Sequence, residues 1–286
     1  MNVGLSTSPT QHTIDIAVVA KHAEDLGFDS IWVPEHPVIP VHTETPYPYS
    51  RDGTMPGWCE HEVDPFVALA RASAVTTNLK LGTAVILVPE HNPLIMAKEI
   101  ATLDMYSRGR FLFGIGGGWL REEMEIMGGD FDHRWTQTRE AVLAMKELWT
   151  KTESEYHGKY YDFPPVYSFP RPVQRPHPPI ILGGTAPNVL KRIAAWGDGW
   201  IPGSLNPEQL KAGRATLDKL ALAAGRDPAS IEISIFGQPP DFALMKKFQE
   251  AGADRFVVSE PPWLWKTSDE EVVLDEIKKL ADTLIT

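Results

Sequence analysis

Eight times along this chain a short apolar run is followed by a segment of helical periodicity, and no other feature limits the fold so strongly. The runs fall at 3–7, 30–35, 79–86, 110–115, 179–182, 199–202, 231–236 and 254–259. Most are β-branched or apolar at nearly every position rather than alternating, as strands covered on both faces are. Eight βα units with short returns close most simply into one (β/α)8 TIM barrel, an α/β fold with a single domain over 1–286. An open Rossmann-like sheet is the competitor, but the first βα turn is Ser6-Thr7-Ser8-Pro9, without that fold's glycine fingerprint.

The intervening segments carry helix signals. Ile16, Val19, Ala20, Ala23 and Leu26 mark one face of the first, and Gly27 supplies its C-terminal stop. Asn92-Pro93 and Asn206-Pro207 each read as an N-cap followed by proline in the first helical position. Ser268 and Glu271 have capping-box spacing ahead of the last helix, whose buried side is Val273, Ile277, Leu280 and Leu284.

Two stretches break the rhythm. Residues 37–63 leave the C-terminal end of the second strand, where barrel enzymes keep their active sites, and are rich in Pro, Tyr and Trp. They read as a lid over a substrate pocket built with Tyr47, Tyr49 and Trp58. Residues 152–178, also Pro- and aromatic-rich, read as an excursion before strand five.

Charge and composition narrow the function. With 38 acidic and 27 basic residues, a net charge of −11, the chain lacks the basic face that nucleic acid needs. No apolar stretch reaches the roughly 20 residues of a membrane helix, and the first residues do not have the form of a secretory signal. A single cysteine, Cys59, allows no internal disulfide. Together these predict a cytoplasmic protein acting on a small molecule.

Candidate chemistry gathers at strand ends. Gly114-Ile115-Gly116-Gly117-Gly118-Trp119 closes the fourth strand, and Gly183-Gly184-Thr185 the fifth. Glycines let backbone N–H groups approach an anion unobstructed, so two such turns on one face suit a phosphate-bearing cofactor. Glu35-His36 ends the second strand, and an imidazole there suits proton transfer near neutral pH. His12, His42, His61 and His91 raise a metal-dependent hydrolase. The first strand, however, lacks the H-x-H pair of such barrels, no other ligand spacing appears, and no metal is expected. No G-x-S-x-G elbow is present.

The pieces AEDLGFDSIWVPEH, YPYSRDG, LKLGTAVILVPEHNPLIMAKEIATLD, SRGRFLFGIGGGWLREE, GDGWIP and AGRDP, in this order, resemble the bacterial luciferase-like superfamily in its deazaflavin (coenzyme F-420)-dependent oxidoreductase branch. The resemblance implies a cofactor at the C-terminal mouth of the barrel and often a homodimer. It implies that Glu35 and His36 stand beside the deazaflavin ring, with His36 catalytic. Thr83, Ala84 and Val85 would support the ring on a bulged strand with a non-prolyl cis peptide at Ala84-Val85. Gly116, Gly117, Gly118 and Trp119, with Gly183, Gly184 and Thr185, would lie near the cofactor's phosphate side. Gly117 replaces the phosphate-binding Arg of flavin luciferases. Trp119 and Pro40 replace a carboxylate and a Trp of the sugar-phosphate dehydrogenases, so sugar-phosphate oxidation is not expected. The expected activity is hydride transfer between F-420 and a small organic substrate. The alternatives are an FMN-dependent monooxygenase that uses O2 and reduced flavin, the latter supplied by a partner reductase, and a flavin-binding homologue without turnover.

Overall fold

A computed structural model describes residues 1–285. The strands are β1 (Asn2–Ser6), β2 (Ser30–Val33), β3 (Lys80–Thr83), β4 (Ile86–Leu87), β5 (Phe111–Gly116), β6 (Ser154–His157), β7 (Asp162–Val166), β8 (Ile180–Gly183), β9 (Gly199–Ile201), β10 (Glu232–Gln238) and β11 (Arg255–Ser259). The helices are α1 (Ile16–Asp25), α2 (Pro65–Ser73), α3 (Pro93–Tyr106), α4 (Arg121–Ile126), α5 (Arg134–Thr150), α6 (Val189–Trp196), α7 (Pro207–Ala223), α8 (Phe242–Glu250) and α9 (Glu270–Leu284).

Parallel pairing runs β1–β2–β3–β5–β8–β9–β10–β11 and returns to β1, closing an eight-staved barrel. All eight expected strands are there. The third stave alone is divided, into β3 and β4, by Ala84 and Val85, whose peptide bond is cis. The divided stave passes so close to β5 that a Cβ on Gly114 would lie 1.8 Å from the Thr83 carbonyl oxygen, which only glycine permits.

Two apolar layers result. One fills the space between staves and helices, from Leu5 and Ile31 to Phe248 and Ile277. The other lies inside the barrel: Trp32, Leu112, Ile181, Ile201 and Val257, with Ala84, Val85 and Phe236 against them. Gly82 makes room for Trp32, since a Cβ there would meet the indole at 2.3 Å. At the N-terminal end Arg255, fully buried, donates to Asp29 at 2.7 Å and to Ser234 at 2.9 Å and pairs with Glu232.

The helix starts follow their caps. Asn92 accepts from Leu94 N–H at 2.9 Å, and Asn206 and Gln209 form a reciprocal capping box. Helix α9 corrects the sequence reading: Asp269, not Ser268, is its cap, accepting from Val272 N–H at 3.2 Å, an acceptor favoured by its charge at the helix N-terminus. The 152–178 excursion forms the antiparallel hairpin β6–β7. Asp104 of α3, fully buried, holds its return by accepting from Val173 N–H (2.6 Å), Gln174 N–H (3.0 Å) and the Gln174 amide (2.7 Å). Among the described residues no helix is long and apolar enough to cross a membrane.

Candidate functional site

The staves' C-terminal ends bring the glycine turns, His36 and the 37–63 segment together. The floor is Val85. A Cβ on Gly116 would come within 2.7 Å of one Val85 methyl, and one on Gly183 within 2.9 Å of the other. Val85 therefore stands between the two turns, over the inner apolar layer, and the missing side chains at 116 and 183 keep this surface low. Thr83 ties the stave below by donating to Gly114 O at 2.8 Å.

His36 follows the end of β2. Its Nδ1 lies 2.7 Å from Oε2 of Glu123 on α4, and the two side chains are 9% and 0% exposed. Glu123 Oε1 also accepts from Val38 N–H at 3.4 Å. Burial works against charge on His36, but the Glu123 hydrogen bond and charge, with Glu62 and Glu35 nearby, outweigh it and raise its pKa above the usual value. With Nδ1 engaged, Nε2 is the nitrogen left for a ligand. The ring meets Trp119 edge-on at 5.7 Å between centroids. Enclosed and bonded to a buried carboxylate, the imidazole is tied into the fold as well as placed at the mouth.

Glu35 turns elsewhere. It is buried and accepts from Leu87 N–H at 2.7 Å and, through its other oxygen, pairs with His91 Nε2 at 3.0 Å. Both oxygens fasten the segment after the divided stave, so the carboxylate is spent on positioning that segment rather than turned toward the mouth. Burial opposes charge on His91, and Glu35 overrides it, raising its pKa.

Segment 37–63 lies over the mouth. Tyr47 meets Trp119 edge-on at 5.3 Å and Tyr49 at 5.4 Å; Tyr49 itself is 68% exposed and forms the outer edge. Trp58 is half-buried in the short 3-10 turn Gly57–Glu60. The segment is held by Glu122 of α4, which accepts from Glu44 N–H at 2.6 Å and Thr45 N–H at 3.0 Å. Burial alone would raise the Glu122 pKa, but these amides bring it down to about 2.

Two further acids share this region. Glu90, 3% exposed, lies under the glycine turn, its Oε1 3.1 Å from where a Gly118 Cβ would be, and neither oxygen has a hydrogen-bond partner. Burial first, then the charges of Glu123 and Glu35, push it up to about 9. Glu62 lies near the end of segment 37–63, bridged to Thr10, with one buried oxygen unpartnered.

Cations gather beside Gly117. Trp135 packs on Gly117, where a Cβ would come within 3.0 Å of the indole, and the Arg192 guanidinium stacks on that indole at 4.3 Å. Arg134 and Arg121 flank the Phe131 ring at 4.1 and 4.2 Å, and Arg134 Nε is buried without a partner. Burial, then the charge of Arg134, lowers the Arg192 pKa. Gly184, with φ +86° and open space around it, and exposed Thr185 complete the second turn. A low apolar floor between two glycine turns, with cations alongside, fits a planar ring cofactor carrying a phosphate.

Sequence reading missed Glu123, Glu62, Glu90, Trp135, Arg134 and Arg192. Glu123 lay within a quoted motif without a role, because its partner is 87 residues away.

The luciferase-like monooxygenase family model matches residues 2–239. An uncharacterized protein of Mycobacterium tuberculosis is 37% identical over 268 residues, 91% of this chain and 92% of its own. The F420-dependent glucose-6-phosphate dehydrogenase of Amycolatopsis mediterranei is 31% identical over 210 residues, 70% of this chain and 57% of its own. The crystal structure of monooxygenase RslO1 from Streptomyces bottropensis superposes with a TM-score of 0.79 at 20% identity, covering 100% of this chain and 99% of that one, and shows the same fold.

Proposed function

The chain belongs to the luciferase-like monooxygenase family, and on that premise we propose that it is an oxidoreductase using a deazaflavin, coenzyme F-420, on a small organic substrate. The observation that carries the reading is the His36–Glu123 pair set beside the low Val85 floor and the two glycine turns. Ala84 and Val85 would support the ring. Gly116–Gly118 and Gly183–Thr185, with Arg134 and Arg192, would hold its phosphate side. When bound, such a cofactor supplies the hydride chemistry.

The chain's own residues do the rest. His36 holds or releases a proton at Nε2 while Glu123 fixes its tautomer and orientation. Tyr47 and Trp119 wall the substrate with apolar surface. The latched lid keeps water out. Exposed Val67 on α2 and Ile95 and Tyr106 on α3, helices that pack on each other, suit an isologous homodimer contact.

The test is absorbance of reduced F-420, mixed with the protein and a panel of small ketones and aldehydes, against the same panel with reduced FMN and O2. Substrate-dependent oxidation of F-420 is expected. Product formed only with FMN and O2 would establish instead the monooxygenase fed by a reductase.

A further inference from the structure

His61 stands one residue before the Thr10–Glu62 bridge, which joins the end of segment 37–63 to the loop after β1; Val63 N–H adds a bond to Pro9 O at 3.1 Å. The bridge brings Gln11 and His12 against His61. Gln11 and His61 are 50 residues apart in the chain, so no ligand spacing in the sequence marks the group. The Gln11 side-chain amide donates to Nε2 of His12 and to Nδ1 of His61, each at 3.2 Å. An amide NH2 only donates, so both ring nitrogens turn lone pairs toward one point. The two rings lie 4.9 Å apart between centroids, at 70° to each other.

The pair is held from behind. Thr10, 5% exposed, donates its hydroxyl to Trp265 O at 2.6 Å, and the same oxygen accepts from His12 N–H at 3.1 Å. Trp265 lies on the 3-10 turn Leu264–Lys266 after β11. Its indole stacks on His61 at 5.7 Å and 15°, and meets His12 edge-on at 6.5 Å. Gly57 leaves room for that indole, since a Cβ there would come within 3.3 Å of it. Gln11 and His12 are exposed and His61 is half-buried, so the point where the nitrogens converge is open to solvent.

We propose that His12 and His61 form a two-imidazole site for a divalent transition-metal ion of the zinc class, the ion taking the place of the Gln11 NH2. Imidazole nitrogen bonds zinc at about 2.0–2.1 Å, so each ring centroid lies about 3.2 Å from the ion. At a near-tetrahedral angle the two centroids are then about 5 Å apart, and the fold already sets them at 4.9 Å. Turned over, the Gln11 amide offers its carbonyl oxygen as a third ligand, and water completes the shell. Among the described residues no group of three imidazole, thiolate or carboxylate ligands converges, so this is an open clip and not a four-ligand structural centre. Imidazole suits zinc, nickel and copper, whereas magnesium and calcium take oxygen. A bound ion ties the loop after β1 to the far end of segment 37–63, at the C-terminal face of the barrel. The site is independent of which cofactor the mouth takes.

The test is calorimetry of zinc chloride into tag-free, chelator-treated protein at about pH 7.5, where imidazole is mostly neutral. One zinc per chain is expected, with a dissociation constant on the order of 1–100 µM, because only part of a structural zinc ligand set is present. His12→Ala and His61→Phe, the second keeping a ring on Trp265, should each weaken zinc at least about tenfold. His42→Ala, at an exposed histidine of the same segment, should leave it unchanged, and magnesium should not compete. Zinc should also raise the Tm of the wild type and not that of the doubly substituted protein, whose circular dichroism checks that it is folded. Cupric ion in the same site should show coupling to two imidazole nitrogens by electron paramagnetic resonance. No zinc binding, zinc affinity unchanged in either His12→Ala or His61→Phe, an equal loss in His42→Ala, or a copper signal from a single nitrogen would each overturn the proposal.

Discussion

Replacing Glu123 by Gln removes the charge beneath His36 while keeping size and an acceptor oxygen. The contact is 2.7 Å long and Glu123 is fully buried, so the wild-type bond is charge-assisted and poorly screened. Such bonds are worth about 1.5–3 kcal/mol, which at about 1.4 kcal/mol per pKa unit predicts a fall of about 1–2 units at His36. The sign of the stability effect follows. A histidine whose folded pKa is raised contributes stability that is fully present below its unfolded value and is lost as pH rises through the folded value. The wild type should therefore exceed Glu123→Gln most at about pH 6, and the gap should shrink in more alkaline solution. Two-dimensional NMR of the His36 imidazole gives the pKa, and urea unfolding at several pH values gives the gap. A His36 pKa unmoved by Glu123→Gln, or a stability gap constant with pH, would refute the electrostatic argument.

Three other perturbations probe separate parts of the structure. His36→Ala strands the buried Glu123 carboxylate and should cost about 3 kcal/mol in urea unfolding, while single turnover of the folded fraction falls about 10²–10⁴-fold; full activity per folded molecule would remove His36 from the chemistry. Glu90, raised to about 9 by burial and by Glu123 and Glu35, stays neutral in the fold while its unfolded form ionises, so it loses stability for the protein as pH rises above its unfolded value. Glu90→Gln should therefore melt higher than wild type at neutral pH, by up to about 3 kcal/mol, and the advantage should vanish near about pH 4. Ile95→Glu on the exposed face of α3 should shift sedimentation from dimer to monomer with little loss of helicity, and an unchanged species would place the contact elsewhere.

The staves were legible because a barrel strand is buried on both faces: β1, β5 and β11 are buried almost throughout, around the apolar centres Val3–Leu5, Phe111–Ile115 and Phe256–Val258. Capped helices were legible because a cap is local: Asn92 and Asn206 act within three residues. The division of the third stave has no periodic signature; the run from 79 to 86 reads as one strand, and only the resemblance pointed to a cis peptide there. In the site, His36 was visible from its place after a strand and before Pro37, and the glycine turns from composition. The partners were not. Glu123 reaches His36 across 87 residues, and His91 reaches Glu35 across 56. The carboxyls of Glu62 and Glu90 owe their character to burial, which no local pattern encodes. The hairpin was missed for another reason: Pro164 and Pro165 argue against a strand, yet an edge strand of a two-stranded ribbon tolerates them.

The central claim is a deazaflavin bound on the Val85 floor, with its phosphate side on the glycine turns. Gly117 has no side chain with which to grip an FMN phosphate, a charge-assisted contact worth on the order of 1.5–3 kcal/mol. Calorimetric titration of the purified protein with F-420 and with FMN under identical conditions tests this most directly. The account predicts F-420 binding about ten- to a hundredfold tighter than FMN; submicromolar FMN binding with no measurable F-420 binding would contradict it.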